Sequence, residues 1–222
     1  MQRRVRALVG LWAALAGLFI PAGAPAQQED VPERVQEARL LRQGAGIRAG
    51  VWHVETDPDA QDASSWPLVE GYFQRGLDRH LAIESTIGVW RRASSYTTSG
   101  PLGSSTAQVT SWIVPLLTSI KFYATGPEAR LEPFVALGGG FAIALEEREG
   151  DTSGLFGGGS APGLVTGFGL TGGGGAEWRL SPVFALSLRA GYQWIRFGSA
   201  VSGMDTYSGP AGSLGLAYRF QY

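Results

Sequence analysis

From residue 44 to its end the chain repeats one pattern: apolar side chains alternate with small or polar ones, residue by residue, in eight successive segments. A period of two belongs to strands, whose neighbouring side chains point to opposite faces, so the pattern predicts eight strands with two unlike faces each. The last segment is the clearest, with Leu214, Leu216, Tyr218, Phe220 and Tyr222 in one row and Ser213, Gly215, Ala217, Arg219 and Gln221 in the other. After the N-terminal leader no apolar run approaches the ~20 residues of a spanning helix. If this chain crosses a membrane, it crosses as strands.

The eight predicted strands cover residues 44–55, 68–77, 81–92, 106–123, 131–146, 163–179, 183–197 and 213–222. Pro115 removes a backbone donor from the fourth, which predicts a bulge or kink there. Short turns are expected around Asp78, over residues 124–130 and over residues 179–182. Longer polar loops are expected over residues 56–67, 93–105, 147–162 and 198–208. Strict alternation of short and long links in an up-and-down meander puts the long loops at one end and both termini at the other.

Ahead of the strands, Arg3, Arg4 and Arg6 precede an apolar stretch from Ala7 to Ile20 and an Ala24-Pro25-Ala26 cleavage pattern, which together read as a signal peptide over residues 1–26. Removing it takes three of the 18 Lys and Arg residues and none of the 19 Asp and Glu, leaving a net charge of −4. That balance gives no reason to expect a nucleic-acid partner. Residues 27–43 are charged and polar, with Pro32 placed to open a short helix, and read as a periplasmic N-terminal segment. The chain has no cysteine, which excludes disulfides, thiolate metal sites and a cysteine nucleophile.

A soluble eight-stranded barrel has the same period, so the choice between water and lipid rests on side-chain size. The polar rows are mostly Gly, Ala and Ser, with charges at Arg48, Glu84, Lys121, Glu132, Glu177, Arg189 and Arg219. Small side chains suit the interior of a narrow barrel, and four cations beside three anions suit an enclosed ion-pair network. The other rows carry Leu, Ile, Val and Phe, with Trp112, Trp178, Tyr192 and Trp194 towards strand ends, which fits a lipid-facing band with aromatic girdles. The expectation is an all-β, eight-stranded antiparallel up-and-down transmembrane barrel over residues 44–222, its interior filled by small residues and charges.

Several stretches then carry a family likeness: Val114-Pro115-Leu116-Leu117, Lys121-Phe122-Tyr123, Glu132-Pro133-Phe134-Val135 running to Gly140, Gly173 to Pro182, Leu188 to Tyr192, and Gly215 to Phe220. In this order they resemble the OmpA-like or opacity-protein-like outer-membrane β-barrel superfamily. The likeness covers the fourth to eighth strands. It implies residence in the bacterial outer membrane, outer-membrane lipid as surroundings, and roles in envelope integrity, adhesion, serum resistance or passage of small hydrophobic molecules. It also implies that the C-terminal row Leu216, Tyr218, Phe220 and Tyr222 is the signal read by the barrel assembly machinery.

Catalytic readings find little support in the sequence. His53 lies near Glu55, Asp57 and Asp59, but the second histidine, His80, falls at the opposite end of the barrel, so no histidine cluster forms. No spacing selects a Ser/His/Asp triad among the loop residues. Gly157 to Gly159 and Gly172 to Gly175 lack the strand-to-helix context and the Gly-Lys-Ser/Thr of a phosphate loop. The expectation is a non-enzymatic protein with no cofactor and no metal, and any external ligand would be met by the loops. The alternatives are a conduit for small hydrophobic molecules, opening laterally near Pro115, and a barrel enzyme acting on lipid.

Overall fold

The fold is seen in a computed structural model, which describes residues 42–55, 64–100, 103–150 and 163–220. The predicted signal peptide and most of the N-terminal segment lie outside the described residues. Eight strands follow in order: β1 (Gly44–Val54), β2 (Ser64–Gly76), β3 (Leu81–Gly100), β4 (Gly103–Tyr123), β5 (Leu131–Gly150), β6 (Gly163–Arg179), β7 (Phe184–Val201) and β8 (Met204–Arg219). Each pairs antiparallel with its sequence neighbours, and β8 returns to β1, closing the barrel. Closure pairs every strand on both sides, as a strand-built membrane span requires, with a short unpaired stretch between β2 and β3 beyond Val69↔Val89.

Short turns join the strands at the end that holds the chain's described N-terminal residues and Phe220. Between β2 and β3 the Asp78 carboxylate accepts hydrogen bonds from the backbone N–H groups of His80 (2.6 Å) and Leu81 (2.7 Å), an Asx turn. Between β6 and β7 the Ser181 hydroxyl oxygen accepts from the Phe184 N–H at 3.0 Å.

Two of the long loops expected from the sequence are instead largely strand. Of the loop placed over 93–105, residues 93–100 belong to β3 and 103–105 to β4, which pair out to Gly100 and Gly103. The loop placed over 198–208 is a hairpin, turning at Ser202 (φ 49°) and Gly203 (φ 84°). Two consecutive positive φ values suit the right-handed twist of a tight hairpin, and Gly203 reaches its value without Cβ strain. A register shift between Arg196 and Val201 precedes the turn.

The outer rows face away from the barrel with large apolar residues in the open. Ile47 is 68% exposed, Leu137 73% and Phe141 72%, with Val69, Ile120, Phe168, Leu188 and Leu216 also exposed around the circumference. Soluble proteins seldom expose so wide an apolar surface, whereas a lipid-facing band requires one. Trp178 and Tyr192 stand exposed in these rows, and Trp112 and Trp194 are half-buried.

Pro115 does not make a bulge. The pairs Ile87↔Leu116 and Trp90↔Ile113 lie on either side of it in one register, and only the pairing of Gly88 and Val89 with β4 is missing. The ring sits against Gly88, which has no side chain to displace it. A lost donor thus interrupts the ladder without inserting a residue. Pro67 acts on the other flank of β3: pairing with β2 ends at Val69↔Val89, although β2 continues to Ser64 along β1.

Strand β8 starts at Met204, nine residues before the predicted start, and ends at Arg219. Arg219 faces Gly44, the first residue of β1, so the partner strand ends there as well. Phe220 lies just beyond, its N–H donating to the Gln43 carbonyl at 2.8 Å. Tyr222 lies outside the described residues.

Candidate functional site

The inward rows bring together all seven charged residues singled out from the sequence, one from each strand except β2. Glu84 of β3 lies at the centre. Its carboxylate receives Arg48 Nη2 at 2.9 Å, Arg189 Nη1 at 3.0 Å and Lys121 Nζ at 3.1 Å. Lys121 bridges to Glu177 at 2.6 Å and also donates to Gln74 at 2.9 Å. Arg219 joins Glu177 (3.1 Å) to Glu132 (2.9 Å). The side chains of Arg48, Glu84, Lys121 and Glu132 are fully buried. Strand alternation makes this possible, because residues two apart on each strand project into the same narrow lumen.

Four further members join them: Glu70, Tyr123 and Arg179 on the same inward rows, and Arg42 from outside the alternating segments. Glu70 holds Arg48 Nε at 3.2 Å, and Arg179 reaches Glu132 at 2.8 Å. Arg42 belongs to the segment read as a periplasmic lead-in, yet it is 1% exposed. It lies 3.5 Å from Glu132, donates to the Thr125 carbonyl at 2.8 Å, and sits over the Tyr123 ring at 4.0 Å. It closes the lumen at the end that holds Gln43 and Phe220. The Tyr123 hydroxyl donates to Glu177 at 2.9 Å. A buried cation is tolerable only with such partners, so these contacts fix the side chains in place.

The outer half of the lumen corrects the expectation of a filling of small residues and charges alone. Trp52, Trp66, Leu68, Trp90, Ile113, Ile195, Phe197, Val201 and Tyr207 pack there into one buried apolar cluster. Trp52 meets Trp90 edge-on with ring centroids 3.9 Å apart, and Tyr207 packs against both Trp90 (5.9 Å) and Phe197 (5.7 Å). Trp52 Nε1 donates to the Gly209 carbonyl at 3.1 Å, and the Tyr207 hydroxyl donates to the Val201 carbonyl. Alternation placed Trp52 and Trp90 on the inward rows, but Trp66 and Tyr207 fell in stretches read as loops.

Between the charged and aromatic tiers lies a cavity of about 20 Å³, bounded by residues that include Leu68, Glu70, Leu117, Thr171, Arg189 and Gln193. Its size suits a single water-sized occupant. His53 sits near the outer end of β1, while His80 lies in the β2–β3 turn, its Nδ1 2.9 Å from the Tyr123 carbonyl oxygen. Among the described residues no three His, Asp or Glu side chains gather to hold a metal ion.

No protein-family model matches the chain, and no curated protein matches it either. Among solved structures it aligns with the outer membrane protein OprG from Pseudomonas aeruginosa at 17% identity over 81% of this chain and 97% of that one, with a TM-score of 0.49. Ail, the attachment invasion locus protein of Yersinia pestis, aligns at 16% identity over 81% and 98% of the two chains, TM-score 0.47. Neisserial surface protein A aligns at 13% identity over 80% and 97%, TM-score 0.46. The assignment of architecture rests on the strands themselves: their closed pairing, exposed apolar belt and enclosed charges. The chain is an all-β, eight-stranded antiparallel up-and-down transmembrane barrel.

Proposed function

We propose that the protein is a non-enzymatic outer-membrane barrel whose work is done by its surface: it reinforces the envelope and presents strands outside it. The observation that carries this reading is the lumen, blocked at one level by ion pairs and at another by packed tryptophans. A blocked lumen leaves the outer wall and the projecting strands as the working surfaces. A tilted strand crosses a bilayer in ~9–11 residues. Strands β3, β4 and β5 have 20, 21 and 20, so about half of each extends past the lipid band. Replacing residues 95–108 with a two-residue turn tests the reading. The shortened protein is expected to keep the heat-dependent gel mobility of a folded barrel while expressing cells lose the surface binding that distinguishes them from non-expressing cells. Unchanged binding would remove the projecting hairpin from the function.

A second reading, lateral passage of small hydrophobic molecules, is favoured by the wall beside β3. Between residues 66–68 of β2 and 90–92 of β3 no ladder pair closes the seam, and Trp66, Leu68 and Trp90 back it from inside. Trp90→Ala is expected to raise uptake of a hydrophobic dye by proteoliposomes if the seam is a route. Uptake equal to that of empty liposomes, in both proteins, counts against it.

Export and assembly complete the proposal: residues 1–26 direct export and are cleaved, and the barrel assembly machinery reads Leu216, Tyr218, Phe220 and Tyr222. Supporting this, Leu216 and Tyr218 lie exposed on the outer row, and Phe220 packs against Tyr218 with centroids 5.6 Å apart. Deleting residues 220–222 is expected to leave export intact and to abolish the heat-stable folded band. A normal folded band from the truncated chain would contradict the assignment.

A further inference from the structure

The ion-pair ladder is not neutral. Among the described residues, its four carboxylates, Glu70, Glu84, Glu132 and Glu177, face six cationic side chains, Arg42, Arg48, Lys121, Arg179, Arg189 and Arg219. Arg179 is 22% exposed and solvent shares its charge. The others are nearly or fully buried, where an unbalanced charge is costly.

Arg42 and Arg189 are the least compensated of these, and of the two only Arg189 borders a cavity. Its one carboxylate contact is the Glu84 oxygen that Arg48 also uses, and its other terminal nitrogen, Nη2, reaches only the Thr171 hydroxyl, at 3.2 Å. Arg189 borders the cavity between the two tiers. Gln193, four residues on along the same inward row of β7, borders it too, and its Nε2 is buried with no hydrogen-bond partner. Gln193 is 4% exposed. The Thr171, Thr86 and Ser213 side chains complete the polar lining, and Glu70 is the one carboxylate on it.

We propose that this cavity holds a small inorganic anion of chloride size, which neutralises Arg189 and accepts a hydrogen bond from Gln193 Nε2. A water molecule satisfies the amide but leaves the surplus charge where it is. The anion does both, and the pairing of Glu70 with Arg48 lessens the repulsion from the carboxylate on the wall. Sulfate is disfavoured by charge: a dianion exceeds the single surplus that Arg189 offers and meets the Glu70 carboxylate on the wall. The site binds an ion in place; with a tier closed above and below, it is not a conduction pathway.

The test uses the whole protein folded in detergent, with bromide as the probe. Crystals soaked in sodium bromide are expected to show an anomalous peak in the cavity beside Arg189 and Gln193. The unfolding midpoint is expected to rise with chloride and saturate, as for a ligand bound only by the folded state, and not to do so in sulfate of equal ionic strength. Gln193→Leu, which leaves every ion pair intact, should abolish the peak and the chloride dependence together, and Arg189→Gln should do the same where it folds. No bromide peak in the cavity, bromide only at surface sites, or equal midpoints in chloride and sulfate would each overturn the proposal.

Discussion

Glu84→Gln is expected to produce the largest loss of stability of any single charge substitution in this barrel. The change keeps the shape of the side chain and removes the one carboxylate that Arg48, Lys121 and Arg189 share. Arg48 retains Glu70 and Lys121 retains Glu177, but Arg189 is left with no carboxylate at all. Breaking a buried pair from one side costs about 3–5 kcal/mol, because the abandoned charge remains buried. The urea midpoint of the folded, heat-modifiable band reads this directly. Adding Arg189→Met to Glu84→Gln should recover part of the loss, since it removes the stranded cation. A midpoint unchanged in the single variant would mean that the ladder contributes nothing at its centre.

Trp52→Ala is expected to destabilise the outer half by a comparable amount. Trp52 is fully buried, lies against Trp90 and donates to the Gly209 carbonyl, so the truncation removes packing and leaves that carbonyl without its partner. Truncating a buried Trp to Ala costs about 3–5 kcal/mol, more where the neighbours cannot collapse into the space. Strands held in a closed ladder have little freedom to collapse. The same urea titration measures the effect, and tryptophan fluorescence should report altered packing of Trp66 and Trp90. A loss below about 1 kcal/mol would show that the site relaxes or that the tier is already loose.

Much of this arrangement was legible in the alternation because a barrel wall separates two unlike surroundings. Where a strand lies between lipid and lumen, each residue's face is written in its chemistry, and so Arg48, Lys121 and Glu177 could be placed inside from sequence. Past the lipid band both faces meet water and the contrast disappears. That is why the outer parts of β3 and β4, with their runs of Ser and Thr, were read as loop although they pair to Gly100 and Gly103. Trp66 and Tyr207 are buried in the aromatic tier, but each stands alone beside polar sequence neighbours, so no alternating row marks it. Arg42 was missed because it lies in a charged segment with no period of its own, and only the tertiary fold brings it under Tyr123. Pro115 showed that a donor was missing, but the effect on register depended on Gly88 across the ladder.

The two closed tiers set a surface role apart from a pore. The direct measurement is ionic current through the purified protein inserted in a planar lipid bilayer under an applied voltage. The protein is expected to insert without a sustained open-channel current. A stable single-channel conductance from the unmodified protein, present without denaturant and lost on blocking the lumen, would contradict it.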